Sequence, residues 1–522
     1  MSGLIRRISW PLFVVGGFAF GMVLGQTLVR LPAFAHFGVV AMLCPLGGAV
    51  IGYAMGRAGA RIATASTVRG SASFATERQI QASLGGAEGL IVGREDRRNG
   101  RLLRYSGPAH LLTVAPTRSG KGVGAIIPNL LTAERSILCI DPKGENARVA
   151  ASARHRLGPV HILDPFGVSG APTAAFNPLD ALSPESLDLA EDAALVADAL
   201  VYDPPGQVGD AHWNEEAKAL IGGLILHVVT DPGQSSNLAT VRDLLTLAPD
   251  EFHHLLRQMQ QNPAAGGLVA RAANRHLGKS EREAASVLSS AQRHTHFLDS
   301  QRMVQVLGRS DFRFEDLKAG TVTVFLVLPP ERLATHARWL RLLVAQAINA
   351  MARSPTRPAS PVLFLLDEFA ALGRLEPVER AFGLMAGYGL QLWPILQDKH
   401  QLWSVYGERA GTFISNAGLI QIFNVADVET ASWVSKSIGA TTVTYQTTGT
   451  SVSKSPGRFL LDQTTTGAST SVHLTRRDLL TSDEVMRLDA GLEILLSQGQ
   501  APVIAQKVRY FADPEFWGLF EA

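Results

Sequence analysis

Residues Ala115-Pro116-Thr117-Arg118-Ser119-Gly120-Lys121-Gly122-Val123 follow the apolar run His110–Ala115 and lead into VGAIIPNLL, which reads as a helix start. A glycine-rich turn between a strand and a helix suits phosphate. Backbone N–H groups and the helix N-terminus attract the oxygens, and the lysine reaches the outer phosphates. Thr117 to Val123 are therefore the candidate nucleotide-binding residues. Two positions depart from the general G-x-x-x-x-G-K-[ST] pattern: Ala115 replaces the first glycine, and Gly122 replaces the hydroxyl that normally helps hold magnesium. Far along the chain, the apolar run Val362–Leu366 ends in Asp367-Glu368. Ligands of α/β sheets bind at this carboxyl edge of the strands. Asp367 is expected to organise Mg2+ through water, and Glu368 to polarise the water that attacks the γ-phosphate of ATP. Gln397, just past LQLWPIL, is a candidate sensor of the γ-phosphate, although its residue type alone reads as structural.

The elements that must position these groups are legible as alternating patterns. Short apolar runs at His110–Ala115, Ser136–Ile140, Val160–Leu163, Thr321–Leu328, Val362–Leu366 and Gln391–Ile395 predict strands, with Pro394 weakening the last. Helical patterns between them predict an α/β fold with a largely parallel sheet covered on both faces. Between about Leu182 and Ser310 strand signals fade and helical stretches such as Glu215–Val229 and Ser280–Phe297 take over, so an all-α insertion is expected. Thr441–Ser471 is rich in Thr, Ser and Gly, and its alternation predicts a β-hairpin or a surface loop.

The 522 residues carry 48 Lys+Arg against 46 Asp+Glu, and 46% are hydrophobic. Such a composition excludes a disordered chain, and two cysteines exclude a disulfide framework or a Cys-rich zinc site. Much of the apolar excess sits at the start. Ser9–Val29 and Leu31–Met55 each lack Asp, Glu, Lys and Arg, and both exceed the roughly 20 apolar residues that span a bilayer. Arg6, Arg7, Arg57 and Arg61 flank the pair and only Arg30 lies between, which predicts a transmembrane hairpin with both ends cytoplasmic and a short external turn. Gly17, Gly21, Gly25 and Gly48, Gly52, Gly56 recur at a spacing that allows close helix packing. A cleaved signal peptide is the rival reading, against which stands the length of the first run.

Other clusters carry less. Arg94, Arg97, Arg98, Arg101 and Arg104 read by default as a solvated basic face, with DNA phosphates as the alternative. His253-His254 and His294-Thr295-His296 lack the partner spacing of a zinc site. Asp141, Lys143 and Glu145 either line the nucleotide side or cap the next helix.

The ordered set APTRSGKGVGAIIPNLL, DPKGE, LDPF, FNPL, LLDEFAALGRL, GYGLQLWPILQD and SNAGLIQIFNVADVETA resembles the coupling-protein ATPases of type IV secretion, in their TraG/TraD-like branch. The resemblance runs from about Gly70 to Phe516. It implies a transmembrane hairpin (1–56), a RecA-like P-loop motor domain in two parts (57–181, with its linker, and 311–522) and an inserted all-α domain (182–310). It further implies a Mg2+-dependent ATP hydrolase of the bacterial inner membrane, multi-pass and mostly cytoplasmic, acting as a homo-hexamer. The implied partners are a relaxase or relaxosome, effector proteins, channel components, and single- or double-stranded DNA. Carried onto matching positions, Lys121 binds phosphate, Asp367 serves magnesium, Glu368 is the catalytic base and Gln397 the sensor. Gly122 is usual in this branch, which leaves Ser119 as a candidate hydroxyl for the metal. The arginine finger of some ring relatives has no counterpart at Leu384–Tyr388, so Arg374 and Arg409 are the candidates. A membrane-tethered double-stranded DNA pump and a non-hydrolysing nucleotide-dependent receptor are the rival readings. Against the pump stands the lack of a C-terminal winged-helix reader before Ala522.

Overall fold

A computed structural model of the chain describes residues 67–97, 100–203, 211–384, 386–455 and 463–521, with scattered helical residues between 15 and 26 and between 44 and 53. The expected membrane hairpin at 1–56 lies mostly outside the described residues. Among the described residues no helix is long and apolar enough to cross a membrane. The chain divides into two compact units, one comprising Phe74–Val434 with Ser482–Ala522 and the other residues up to Ser73 with Ser435–Thr481.

The larger unit is built on an 11-stranded sheet. Its strands in chain order are β1 (Leu90–Glu95), β2 (Leu102–Tyr105), β3 (His110–Val114), β4 (Ile137–Asp141), β5 (Val160–Leu163), β6 (Thr323–Val327), β7 (Val362–Leu366), β8 (Leu390–Leu396), β9 (Ala417–Phe423), β12 (Leu492–Ser497) and β13 (Val503–Gln506). Across the sheet they run β2-β1-β13-β12-β9-β3-β8-β7-β4-β6-β5. From β9 to β5 every pairing is parallel. From β9 to β2 every pairing is antiparallel. Every residue of β3, β4, β6, β7, β8 and β9 is buried. A parallel strand covered on both faces is apolar along most of its length, which is why most of these segments read so clearly. Pro394 sits inside β8 opposite Leu366, so the proline weakens the sequence pattern without ending the strand. The antiparallel arm has no counterpart in the expected strands. β1 (LIVGRE) carries Gly93 beside a break in register and ends on two charges, which hides its alternation.

Pairing also fixes where the functional segments end. Val114 is level with Leu396 of β8 and Ile422 of β9, and Leu366 with Pro394. The loops after β3, β7, β8 and β9 therefore leave the same edge of the sheet.

Between β5 and β6, which pair side by side, every described element is a helix: Leu189–Leu200, Ala211–Thr230, Leu238–Leu245, Pro249–Gln260, Ala264–Leu277, Glu281–Thr295, Gln301–Val306 and short turns. The sequence starts two of them with side-chain caps and a third with proline. Asn237 accepts from Thr240 N–H at 2.9 Å, Ser280 accepts from Glu283 N–H, and Pro249 opens its helix where a missing N–H costs nothing.

In the basic run Arg94, Arg97 and Arg104 find partners. Arg94 forks onto Glu515 at 2.8 Å and pairs with Asp513, Arg97 pairs with Glu95 and Glu77, and Arg104 donates to Gly89 O at 3.2 Å. Arg97 and Arg101 remain exposed, and Arg98 lies outside the described residues.

In the smaller unit β10 (Ala440–Ser455) and β11 (Gln463–Asp478) form a two-stranded ribbon in unbroken register from Ala440↔Asp478 to Ser455↔Gln463. Tyr445 stacks on His473 at 5.1 Å across the strands, and Ser71 bridges Thr441 at the base.

Candidate functional site

The loop after β3 begins with Ala115 N–H bonded to Leu396 O at 2.7 Å, so it is tied at its root to the end of β8. Arg118 has φ 63° and Gly120 φ 94°, both in the left-handed region. Such alternation turns successive N–H groups toward one side, as an anion cradle requires. A Cβ at Gly120 or Gly122 would meet no atom within 4 Å. Gly122–Ile126 forms a π-type turn before the α-helix Ile127–Thr132, a local widening that recurs at functional positions. Ser119 Oγ is buried and has no hydrogen-bond partner among the described residues, while Thr117 and Arg118 are exposed.

Lys121 carries the electrostatics. Its Nζ lies 2.7 Å from Asp367 Oδ1 and 2.7 Å from Glu368 Oε1. Gln397 Nε2 donates to the other oxygen of Glu368 at 3.1 Å. Glu368 has φ 50°, a left-handed conformation for a non-glycine residue, and its N–H donates to Asp367 Oδ1 at 2.9 Å. Strain of about 1–3 kcal/mol persists only where surroundings over-determine it, and here it aims the carboxylate at the loop. Burial pushes the Asp367 carboxyl above its ordinary value, opposed by Lys121. Burial pulls the Lys121 ammonium down, but Asp367 and Glu368 outweigh it and hold the ammonium above its ordinary value. The three groups form one coupled charge cluster. A bound polyphosphate would compete with the carboxylates for the lysine. The groups present fit such a ligand with its magnesium: a loop with left-handed turns, a lysine ammonium, a hydroxyl without a partner among the described residues and two carboxylates.

The family described as "Type IV secretory system Conjugative DNA transfer" matches residues 62–518. This chain belongs to that family. Within the conjugative transfer family, the conjugal transfer protein TraG of Escherichia coli is 30% identical over 466 residues, covering 82% of this chain and 72% of the relative. Protein VirD4 of Rhizobium rhizogenes is 31% identical over 433 residues, covering 81% of this chain and 61% of the relative. The solved unbound structure of the conjugative coupling protein TrwB superposes with a TM-score of 0.62 at 16% identity, covering 84% of this chain and 92% of that one. TrwB in complex with ADP and Mg2+ gives 0.61 at 15% identity, covering 84% and 93%. At that identity the likeness is one of fold, and the fold is the RecA-like α/β sheet.

Lys121, Asp367, Glu368 and Gln397 thus meet at one edge. Arg374 and Arg409, the two finger candidates, both pair with Glu379 of their own chain, at 3.6 and 2.7 Å. Asp141 takes the capping role: it accepts from Ala147 N–H at 2.8 Å, and burial pushes its carboxyl up to about 6. His294 contacts Asn214 at 3.0 Å and Arg338 at 3.2 Å, and burial together with Arg293 and Arg338 holds it down at about 3. A residue the motifs did not announce is Arg341. It is fully buried in the helix Pro330–Arg353, donates to Leu372 O and to Arg374 O (2.9 Å), and covers Tyr202 at 4.0 Å. It ties the turn after Asp367-Glu368 to the segment ahead of the next helix.

Proposed function

We propose that the chain is the ATP-hydrolysing coupling protein of a conjugative type IV secretion system. The observation that carries the reading is the Lys121–Asp367–Glu368–Gln397 cluster on the loop edge of the sheet. In it Lys121 exchanges its two carboxylates for the outer phosphates of ATP, and Glu368, freed on one oxygen, takes the proton of the attacking water. Gln397 holds the second oxygen of Glu368 and fixes its direction. Magnesium, when bound, supplies charge neutralisation at the outer phosphates. Asp367, through water, and Ser119 Oγ are the groups placed to hold it. TrwB, a fold relative, has been solved with ADP and Mg2+ and with the ATP analogue ADPNP, which supports this reading.

The wider reading is a protein anchored in the inner membrane by a hairpin at 1–56, with the motor and an all-α domain (182–310) in the cytoplasm, assembled as a homo-hexamer. It recruits a relaxase–DNA complex or effector proteins to the channel. The apolar runs near the N-terminus, the helical segment between β5 and β6 and the family membership support these assignments. The decisive experiment compares the full chain with Lys121→Ala for binding of Mg-ATP and for transfer in cells. Loss of both with normal membrane insertion is expected; wild-type nucleotide binding by the variant would overturn the site.

A further inference from the structure

The end of β13 delivers a second lysine to the phosphate loop. Lys507 Nζ donates to the Ser119 carbonyl at 2.9 Å and to Asn424 Oδ1 after β9, and sits 4.6 Å over the Phe423 ring. Its own N–H donates to Gly491 O at 2.8 Å, so the root of the side chain is fixed by the β12–β13 hairpin. The following residue closes in further: a Cβ at Gly124 would meet Val508 O at 2.9 Å, so this strap lies directly on the first helical turn after Lys121.

Behind the lysine runs a hydrogen-bonded framework. Trp393 Nε1 donates to Thr113 Oγ1 at 2.8 Å, Thr113 to Gln421 Oε1 at 2.9 Å, and Gln421 Nε2 to Glu493 Oε2 at 2.7 Å. This buried chain crosses β8, β3, β9 and β12, the strands on either side of the loop. Burial pushes the Glu493 carboxyl well up, and pushes the Lys507 ammonium down to about 8 against the pull of Glu493.

Ser119 lies between the two left-handed residues, Arg118 and Gly120. A non-glycine residue such as Arg118 in that region costs about 1–2 kcal/mol, so something must hold the loop there. A charge-assisted bond to the one carbonyl between them does so, since such bonds are roughly twice as strong as neutral ones. We propose that Lys507 is a positioning residue for the phosphate loop, fixing the Ser119 carbonyl so that the loop N–H groups are set for phosphate before the nucleotide arrives. The inference rests on the reading of this loop as the nucleotide site.

The test uses the full chain with ADP binding and steady-state ATP hydrolysis as readouts. Lys507→Met is expected to raise the Kd for ADP and the KM for ATP about tenfold, with kcat within threefold, because preorganisation acts on ground and transition states alike. Lys507→Arg keeps the charge and is expected to stay within threefold of wild type. A Lys507→Met protein with Kd and KM within twofold of wild type overturns the proposal, as does a Lys507→Arg protein as impaired as Lys507→Met. Should Lys507→Met fail to fold, judged by its melting curve, Lys507→Gln decides by the same thresholds. Lys121→Ala run alongside separates the two levels. Wild-type ADP binding by it sinks the site itself, whereas loss of binding there with an unaffected Lys507→Met sinks only the role of Lys507.

Discussion

At the loop edge of the sheet, Lys121 is divided between two carboxylates, Ser119 Oγ has no partner among the described residues, and Glu368 is held in a strained conformation. In the helical block two charge networks are paired within themselves. Arg242 forks onto Asp299 at 2.6 and 2.8 Å and also donates to Gln292 O and Thr295 Oγ1. Glu216 accepts from Arg275 at 2.6 and 3.0 Å and pairs with Lys279 at 2.9 Å. The difference teaches what each region can do. A saturated network holds one arrangement, because every alternative leaves a charge unpaired. On the proposed function the edge cluster exchanges partners, because a phosphate would replace what the carboxylates give the lysine.

The contrast breaks if variants at the edge act through stability, or variants in the helical block through catalysis. The largest effect is expected from Glu368→Gln, which should hydrolyse ATP at least tenfold more slowly while binding it, with a melting temperature at or above wild type. Unchanged turnover would place the base elsewhere. Gln397→Ala should be milder, with a several-fold loss in kcat and little change in KM, measured in the same assay; an unaltered kcat removes Gln397 from the site. Arg242→Ala should leave KM and kcat within twofold but cost about 2–3 kcal/mol in denaturant unfolding, since it deletes a buried charge that makes several hydrogen bonds. A stability loss under 0.5 kcal/mol would show that the block is not locked as described.

The smallest effect sharpens the comparison through pH. The hydrogen bonds from Arg275 lead the causes that pull the Glu216 carboxylate down to about 2. A depressed carboxylate contributes stability that is fully present above its unfolded value, about 4.3, and is lost as pH falls through about 2. Glu216→Gln should therefore remove part of the acid dependence of melting between pH 5 and 2. If the two acid profiles run parallel, the network contributes nothing in that window.

Legibility followed burial. VLFLL and TVTVFLVL announce strands because both faces are covered, and the groups after them announce a site because the parallel edge gathers loop ends. The antiparallel arm is less readable: β12 (LEILLS) carries Glu493, fully buried yet indistinguishable in sequence from a surface charge, and β9 carries the equally buried Gln421. Glutamine at 397 takes its meaning from the family resemblance, and the structure adds its contact with Glu368. Lys507 had no local signal, for its partner Ser119 lies 388 residues earlier.

The sequence alone determined the α/β alternation, the glycine-rich loop with its lysine, the acidic pair and the family, because each depends on residue types a few positions apart. Only the tertiary structure decided that Lys121 bridges both carboxylates, that Arg94 of the basic run meets acidic partners from the far end of the chain, and that a lysine near the C-terminus hydrogen-bonds the loop. Those are contacts between distant segments, set by the order of strands in the sheet. Strand order follows from which faces and edges bury together, a property that no short stretch of sequence contains.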